Sequence, residues 1–114
     1  MEEKTFNKLV RDNIIDKITN NGELASYHVL DENEYKKELL RKLREECEEV
    51  IDAFDYGYSA DMVVELGDVL EVIRALADSI NVRMEEVNDV SLMKRDINGG
   101  FEKRIFLEKT TKIK

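Results

Sequence analysis

Apolar side chains recur at three- and four-residue spacings along most of the chain, which is the period of an amphipathic helix. This pattern predicts four helices, whose bounds are set by residues that cap or break helices. The predicted ranges are 7–20, 31–54, 59–81 and 84–97. Because a short connection joins the second and third helices, we expect these two to pack antiparallel as a hairpin.

Polar residues and one glycine mark where these helices start and stop. Asn7 is the predicted N-cap of the first helix. Asp31, with Glu34 three residues later, has the spacing of a capping box at the start of the second. Gly57 is expected to end that helix, and Ser59 to cap the third.

Two short segments have the composition of extended chain. Residues 26–30 are rich in strand-forming side chains, and residues 101–107 follow a turn signal at Asn98-Gly99-Gly100. We expect these segments to pair. The predicted fold is therefore mainly α, a four-helix bundle with a small extended or β-hairpin element.

The composition supports one small helical domain. The 114 residues include 42 % apolar side chains, five Gly and no Pro, which favours long helices around a modest core. The single cysteine, Cys47, excludes a disulfide framework, and its wheel position predicts a small core residue. The charged N-terminus and the lack of an apolar run near roughly 18 residues predict a cytoplasmic protein without membrane contact.

The negative charge is concentrated in one segment. Of the 26 acids, ten lie between Glu45 and Ile73, where there is no Lys, Arg or His, so 16 remain against the 18 bases elsewhere. This segment would repel a nucleic-acid backbone in the absence of a cation, so no nucleic-acid polymer is expected as a partner. It favours metal ions, a basic partner or solvent.

Two acid pairs lie unusually close to the predicted core. On a helical wheel Glu46 falls inside the apolar stripe of the second helix, with Glu49 at its edge. Glu65 falls at the margin of the third helix's stripe, with Asp68 beside it. In an antiparallel hairpin these four carboxylates converge. Such a group calls for a cation, and oxygen-only ligands suit Mg²⁺ or Mn²⁺. The alternative is a solvated charged face.

The arrangement Glu46-x-x-Glu49, fifteen residues, Glu65-x-x-Asp68 resembles the signature of the MazG-like, all-α nucleoside triphosphate pyrophosphohydrolases. The opening of the chain and its late Gly-Gly-Phe resemble, more closely, the subgroup called phosphoribosyl-ATP pyrophosphohydrolase-like proteins. The resemblance covers nearly the whole chain. Its most similar stretches are 6–12, 42–50, 65–72 and 99–101.

The resemblance implies a single domain, residues 1–114, that cleaves the α–β phosphoanhydride bond of a nucleotide to release pyrophosphate. It places the family's metal ligands at Glu46, Glu49, Glu65 and Asp68, and an auxiliary acid at Glu45. Glu46 or Glu49 would act on the attacking water. The implied cofactor is Mg²⁺, with Mn²⁺ possible, and the implied assembly is a homodimer or homotetramer. The opening segment is not a hallmark of the histidine-biosynthesis enzymes with this fold, so strict phosphoribosyl-ATP specificity is not implied.

Basic side chains are needed to neutralise the outer oxygens of a triphosphate. Lys8 and Arg11 are three residues apart and are expected to share a helix face, as phosphate ligands or as surface charges paired with nearby acids. A second basic group surrounds the Gly99-Gly100 turn. Its members are Lys94, Arg95, Lys103 and Arg104.

The remaining candidates have simpler interpretations. His28, the only histidine, is expected to be structural or exposed. The aromatic side chains of Phe54, Tyr56 and Tyr58 pack at the helix turn or stack on a nucleobase. Two other functions stay open: a nonenzymatic acidic helical module that binds a basic protein, and hydrolysis of another phosphoanhydride at the same site.

Overall fold

A computed structural model describes residues 2–57 and 59–113, and within them the chain forms four helices. Their bounds are α1 Ile14–Asn20, α2 Glu32–Tyr56, α3 Ser59–Ser79 and α4 Met84–Asn98. The prediction of a mainly α fold with four helices is confirmed. No described helix combines the length and the apolar character needed to cross a bilayer. Tyr58, one of the predicted aromatic candidates, lies outside the described residues.

The capping pattern places α2 as the sequence predicts. The Asp31 side chain accepts a hydrogen bond from the backbone N–H of Glu34 at 2.9 Å, which satisfies one of the free donors at the helix start. Gly57 then ends the helix in a left-handed conformation, with φ of 76°. A residue without a Cβ adopts that conformation at little cost.

The first helix is shorter than predicted. It begins at Ile14 instead of near Asn7, and Asn13, the residue before it, makes no side-chain capping bond. Asn7 has a φ of 47°, a left-handed conformation that turns the backbone away from a right-handed helical path. The predicted end at Asn20 is confirmed.

The predicted β element is wrong for the part of the chain that the structure describes. Residues 26–30 and 101–107 form no strand there, and their large apolar side chains other than the half-buried Leu30 are exposed, with Phe106 at 88 %. A two-stranded ribbon with nothing to cover its apolar face is marginal in water. Strand-like composition alone was therefore insufficient to form it.

The core lies in the α2–α3 hairpin, in which the chain leaves α2 at Gly57 and begins α3 at Ser59. Helix α4 packs against α3 alone, and α1 packs against no other helix of the described chain. The four-helix bundle expected from the sequence is therefore not formed by the described residues of this one chain. The buried apolar side chains are Leu39, Ala53, Val72 and Ala77.

This narrow core also corrects the prediction for Cys47, which is exposed. Helix α2 buries only the strip that contacts α3, and the neighbouring Glu46 lies in that strip instead. Phe54, expected to pack at the helix turn or to stack on a nucleobase, is exposed. Val72 supplies one of the buried side chains of α3.

Candidate metal centre

Four carboxylates converge where α2 and α3 face each other. Glu46 and Glu49 come from α2, and Glu65 and Asp68 come from α3. One carboxylate oxygen of each residue lies within 4.8 Å of those of the other three. A spacing of three residues puts both acids of a helix on one side, and the hairpin brings the two pairs together. We call these four residues the carboxylate cluster.

The cluster is partly withdrawn from water. Glu46 is buried, with 8 % of its surface exposed, Glu65 and Asp68 are half-buried, and Glu49 is exposed. The Oε2 atoms of Glu46 and Glu65 are buried without a hydrogen-bond partner. A buried carboxylate oxygen with no partner is costly, and a bound cation removes that cost.

The electrostatics of Glu46 reflect the same crowding. Burial raises the pKa of its carboxyl above the ordinary value of 4.5, and the neighbouring Glu49 carboxylate raises that pKa further. The charge of Asp68 adds to the rise in pKa, whereas that of Lys42 opposes it. Within the protein alone, then, the charged form of Glu46 is less favourable than that of an ordinary glutamate.

The end of the cluster farther from the α2–α3 turn, formed by Glu46 and Asp68, has basic neighbours. Lys42 Nζ lies 3.7 Å from Glu46 Oε1, one helical turn earlier in α2. Arg11 Nη2 donates a hydrogen bond of 2.8 Å to Asp68 Oδ1. We call this the basic end of the cluster.

The end nearer the turn, formed by Glu49 and Glu65, opens into a cavity of about 210 Å³. The residues that line this cavity include two further acids and an aromatic ring, but no Lys or Arg. They are Glu49, Asp52, Ala53, Tyr56, Asp61 and Glu65. We call this the acidic end.

Of the other predicted site residues, Arg11 contacts the cluster, whereas Lys8 and Glu45 do not. The expected helix face for Lys8 and Arg11 is wrong because this segment is not helical, and Lys8 Nζ instead lies 5.5 Å from the centre of the Phe6 ring. Arg11 pairs with Asp68 and not with the nearby acids of its own segment. Glu45 stays outside the cluster and pairs with Arg41 at 3.5 Å.

The second predicted basic group is not paired with the cluster in the described chain. Lys94 and Arg95 are exposed residues of α4, and Arg95 forms its ion pair with Glu102 in the turn that follows. His28 is exposed, within the sequence expectation. The proposed phosphate contacts of Lys94 and Arg95 therefore require a rearrangement or a neighbouring chain.

Sequence reasoning missed three neighbours of the cluster: Lys42, Asp52 and Asp61. Each had a usable signal, because Lys42 lies four residues before Glu46 and Asp61 four residues before Glu65. Asp52 lies three residues after Glu49. Residues at these spacings share a helix face, so extending the wheel by one turn in each direction would have found all three.

The donor set fits a hard divalent cation. All four donors are carboxylate oxygens, which suit Mg²⁺ or Mn²⁺ better than Zn²⁺. The two buried carboxylate oxygens that accept no hydrogen bond are available as metal ligands. Glu46, Glu49, Glu65 and Asp68 are thus the residues that could hold such an ion.

Comparison with known proteins assigns the chain to a family. The family model described as the MazG nucleotide pyrophosphohydrolase domain matches residues 34–96, more than half of the chain. This range holds the α2–α3 hairpin except for the first two residues of α2, and it holds the whole carboxylate cluster, whereas Arg11 lies outside it. The chain therefore belongs to the MazG nucleotide pyrophosphohydrolase family. No curated protein and no solved structure matched the chain.

Proposed function

We propose that the protein is a nucleotide pyrophosphohydrolase that depends on Mg²⁺, or on Mn²⁺ in its place, and cleaves the α–β phosphoanhydride bond of a nucleoside triphosphate. The products are a nucleoside monophosphate and pyrophosphate. The observation that carries this proposal is the convergence of four carboxylates, with two buried unpaired oxygens, in a chain of the MazG family.

The cluster residues would hold the cation, which when bound supplies positive charge for the phosphoryl oxygens and acidifies a water molecule. Glu49 is the member best placed to accept a proton from that water, because it is exposed beside the cavity. Glu46 is buried at the basic end of the cluster, away from the cavity, and serves as a metal ligand instead. We assign the proton-accepting role to Glu49 on this difference.

The two ends of the cluster suggest how the substrate lies. Arg11, at the basic end, is close enough to Asp68 to reach a phosphate bound beside that residue. Tyr56, at the acidic end, presents an exposed ring at the cavity on which a nucleobase can stack. The triphosphate would thus run from the cavity toward Arg11.

A substrate panel tests the reaction. Pyrophosphate release is measured from canonical and modified nucleoside triphosphates and from phosphoribosyl-ATP, with Mg²⁺, with Mn²⁺ and with EDTA. We expect release that requires the cation, and preference for phosphoribosyl-ATP would place the chain with the subgroup that its opening resembles. No release from any substrate, by folded protein supplied with metal, would favour an acidic helical module that binds a basic protein.

The matched variants are Glu49→Gln and Glu48→Gln. Glu49→Gln should abolish turnover while the circular dichroism spectrum is retained. Glu48 is its exposed neighbour and lies outside the cluster, so Glu48→Gln should keep full activity. Full activity of Glu49→Gln would remove the proposed site.

We also propose that the protein works as a homodimer or homotetramer. The radius of gyration is 19.4 Å, against about 13 Å for a compact domain of this size. An apolar groove of about 370 Å³ lies open between α2, α3 and α4. It is lined chiefly by Leu40, Ile73, Leu76, Ile80 and Val87. A second copy that covers this groove would supply the core that one chain lacks.

Light scattering coupled to size exclusion tests the assembly. Wild-type protein should elute as two or four chains, and Leu40→Glu, which puts a charge on the groove, should lower that number. Glu38→Gln, a change on the same helix outside the groove, is the control. A wild-type monomer would overturn the proposal.

A further inference from the structure

Arg11 makes an ion pair unlike any other in the described chain. Its partner, Asp68, is 57 residues away, whereas the other described ion pairs join residues no more than seven apart. Arg11 lies in the segment before α1, which is not helical. The contact therefore joins the N-terminal segment to the carboxylate cluster.

The geometry of the Arg11–Asp68 pair allows Asp68 to exchange Arg11 for another cation. A single guanidinium nitrogen contacts a single carboxylate oxygen, and the side chains keep 58 % (Arg11) and 35 % (Asp68) of their surface exposed. Exposed single-contact pairs are weak and screened by water. By contrast, the side chains of Lys42 and Glu46 are 21 % and 11 % exposed and lie on one helix, so Lys42 cannot move far from its partner.

A cation bound by the cluster changes this balance. Asp68 would then face two positive groups, and the dication carries the larger charge. Arg11 can leave because it lies outside the helices and its side chain alone contacts Asp68. Its backbone carbonyl accepts a hydrogen bond of 3.1 Å from the N–H of Ile14 at the start of α1, which keeps it near the site. A guanidinium released beside a polyphosphate finds a partner whose oxygens match its planar donors.

We propose that Arg11 is an exchangeable counter-ion of the cluster. It neutralises Asp68 in the metal-free protein, yields Asp68 to the cation, and then binds the substrate's phosphate oxygens. This inference rests on the metal site of the proposed function. Its consequence is that Arg11 opposes metal binding and favours nucleotide binding, so its removal has effects of opposite sign on the two.

The first arm measures metal binding without nucleotide. In a calorimetric titration, Arg11→Gln should bind Mn²⁺ more tightly than the wild type, with a Kd about two- to fivefold lower. This ratio corresponds to the free energy of an exposed ion pair. Arg74→Gln is the control, because Arg74 pairs with Glu71 at 2.6 Å outside the cluster and the variant loses the same charge. Its Kd should match the wild type.

The second arm measures nucleotide binding at saturating Mn²⁺, with a nonhydrolysable triphosphate analogue as the probe. Arg11→Gln should bind the analogue about tenfold more weakly, as expected for a lost charge-assisted contact. Arg11→Lys keeps the charge but loses the planar donors, so it should fall between Arg11→Gln and the wild type. Circular dichroism establishes that each variant is folded.

The outcomes separate this inference from the proposed function. If wild-type protein binds no Mn²⁺, the metal site and this inference both fail. If the wild type binds Mn²⁺ but Arg11→Gln binds it no more tightly, only the exchange is overturned. A Kd that rises in Arg11→Gln would make Arg11 a permanent support of the site, which also overturns the exchange.

Discussion

The basic and acidic ends of the carboxylate cluster are built from the same pair of helices, but the charges that surround them are opposite. Each end takes one acid from α2 and one from α3. At the basic end Lys42 and Arg11 already offset part of the charge. At the acidic end Asp52 and Asp61 add to it, and the cavity there is open. The spacing of four acids therefore does not by itself define how a site behaves.

This difference gives the site a direction. Added negative charge draws a cation toward the acidic end, and the bases favour the anionic phosphates at the other. A site with four acids and no base would bind cations but would repel a triphosphate. The following predictions test the contrast between the ends, from the largest expected effect to the smallest.

Glu46→Gln should have the largest effect. It removes a buried donor of the cluster, so turnover should fall by at least about 100-fold in a pyrophosphate-release assay. The metal-free protein should unfold at a higher temperature, because the raised pKa of Glu46 shows that its charged form is unfavourable in the fold. Activity near the wild-type level would mean that the basic end is not part of the site.

Asp61→Asn tests the acidic end. Asp61 lines the cavity but is not one of the four cluster residues, so its charge should attract the cation without contacting it. We expect Mn²⁺ affinity to fall about tenfold by calorimetry. Asp55→Asn removes an equal charge from an exposed residue of α2 outside the cavity and is the control. Equal losses in both variants would mean that only net charge matters.

The same contrast shows what the sequence could predict. The hairpin and its four acids follow from local rules, because helical period and the Asp31 and Gly57 signals fix which residues share a face. The Arg11–Asp68 pair does not, since its partners are 57 residues apart and Arg11 lies where no periodicity assigns a face. Only the folded chain brings these two residues together.

Apart from the start of α1, the errors in the predicted fold have one physical origin. The β pairing, the bundle and the burial of Phe54 and Cys47 all assume that one chain covers its own apolar surface. The described chain covers little of it, and large side chains such as Phe106 stay in water. Periodicity predicts which face of a helix is apolar, but it does not predict what covers that face.

Tyr56→Ala tests whether the acidic end also receives the nucleobase. The ring is exposed at the cavity, so its loss should raise KM about fivefold with little change in kcat. Tyr27→Ala removes an exposed ring that does not line the cavity and should leave KM unchanged. A fall in kcat alone would show that Tyr56 positions the catalytic residues and does not bind the base.

Asp31→Ala should have the smallest effect, and it should leave the contrast between the ends intact. The bond from the Glu34 N–H lowers the pKa of Asp31 below its ordinary value of 3.8. A lowered pKa means that the capping contribution is present above that ordinary value and is lost as pH falls through the pKa of the folded protein. The side-chain hydrogen bond with Asp31, followed by the charge of Asp31, raises the pKa of Glu34, so an ionised Glu34 beside Asp31 offsets part of the gain. The unfolding temperature of the variant should therefore lie slightly below that of the wild type at pH 7 and approach it in acid.

Glu32→Ala is the control, because Glu32 lies in the same first turn and makes no capping bond. If the unfolding temperature of Asp31→Ala stayed equally far below the wild type in acid, the effect would not come from the ionised cap.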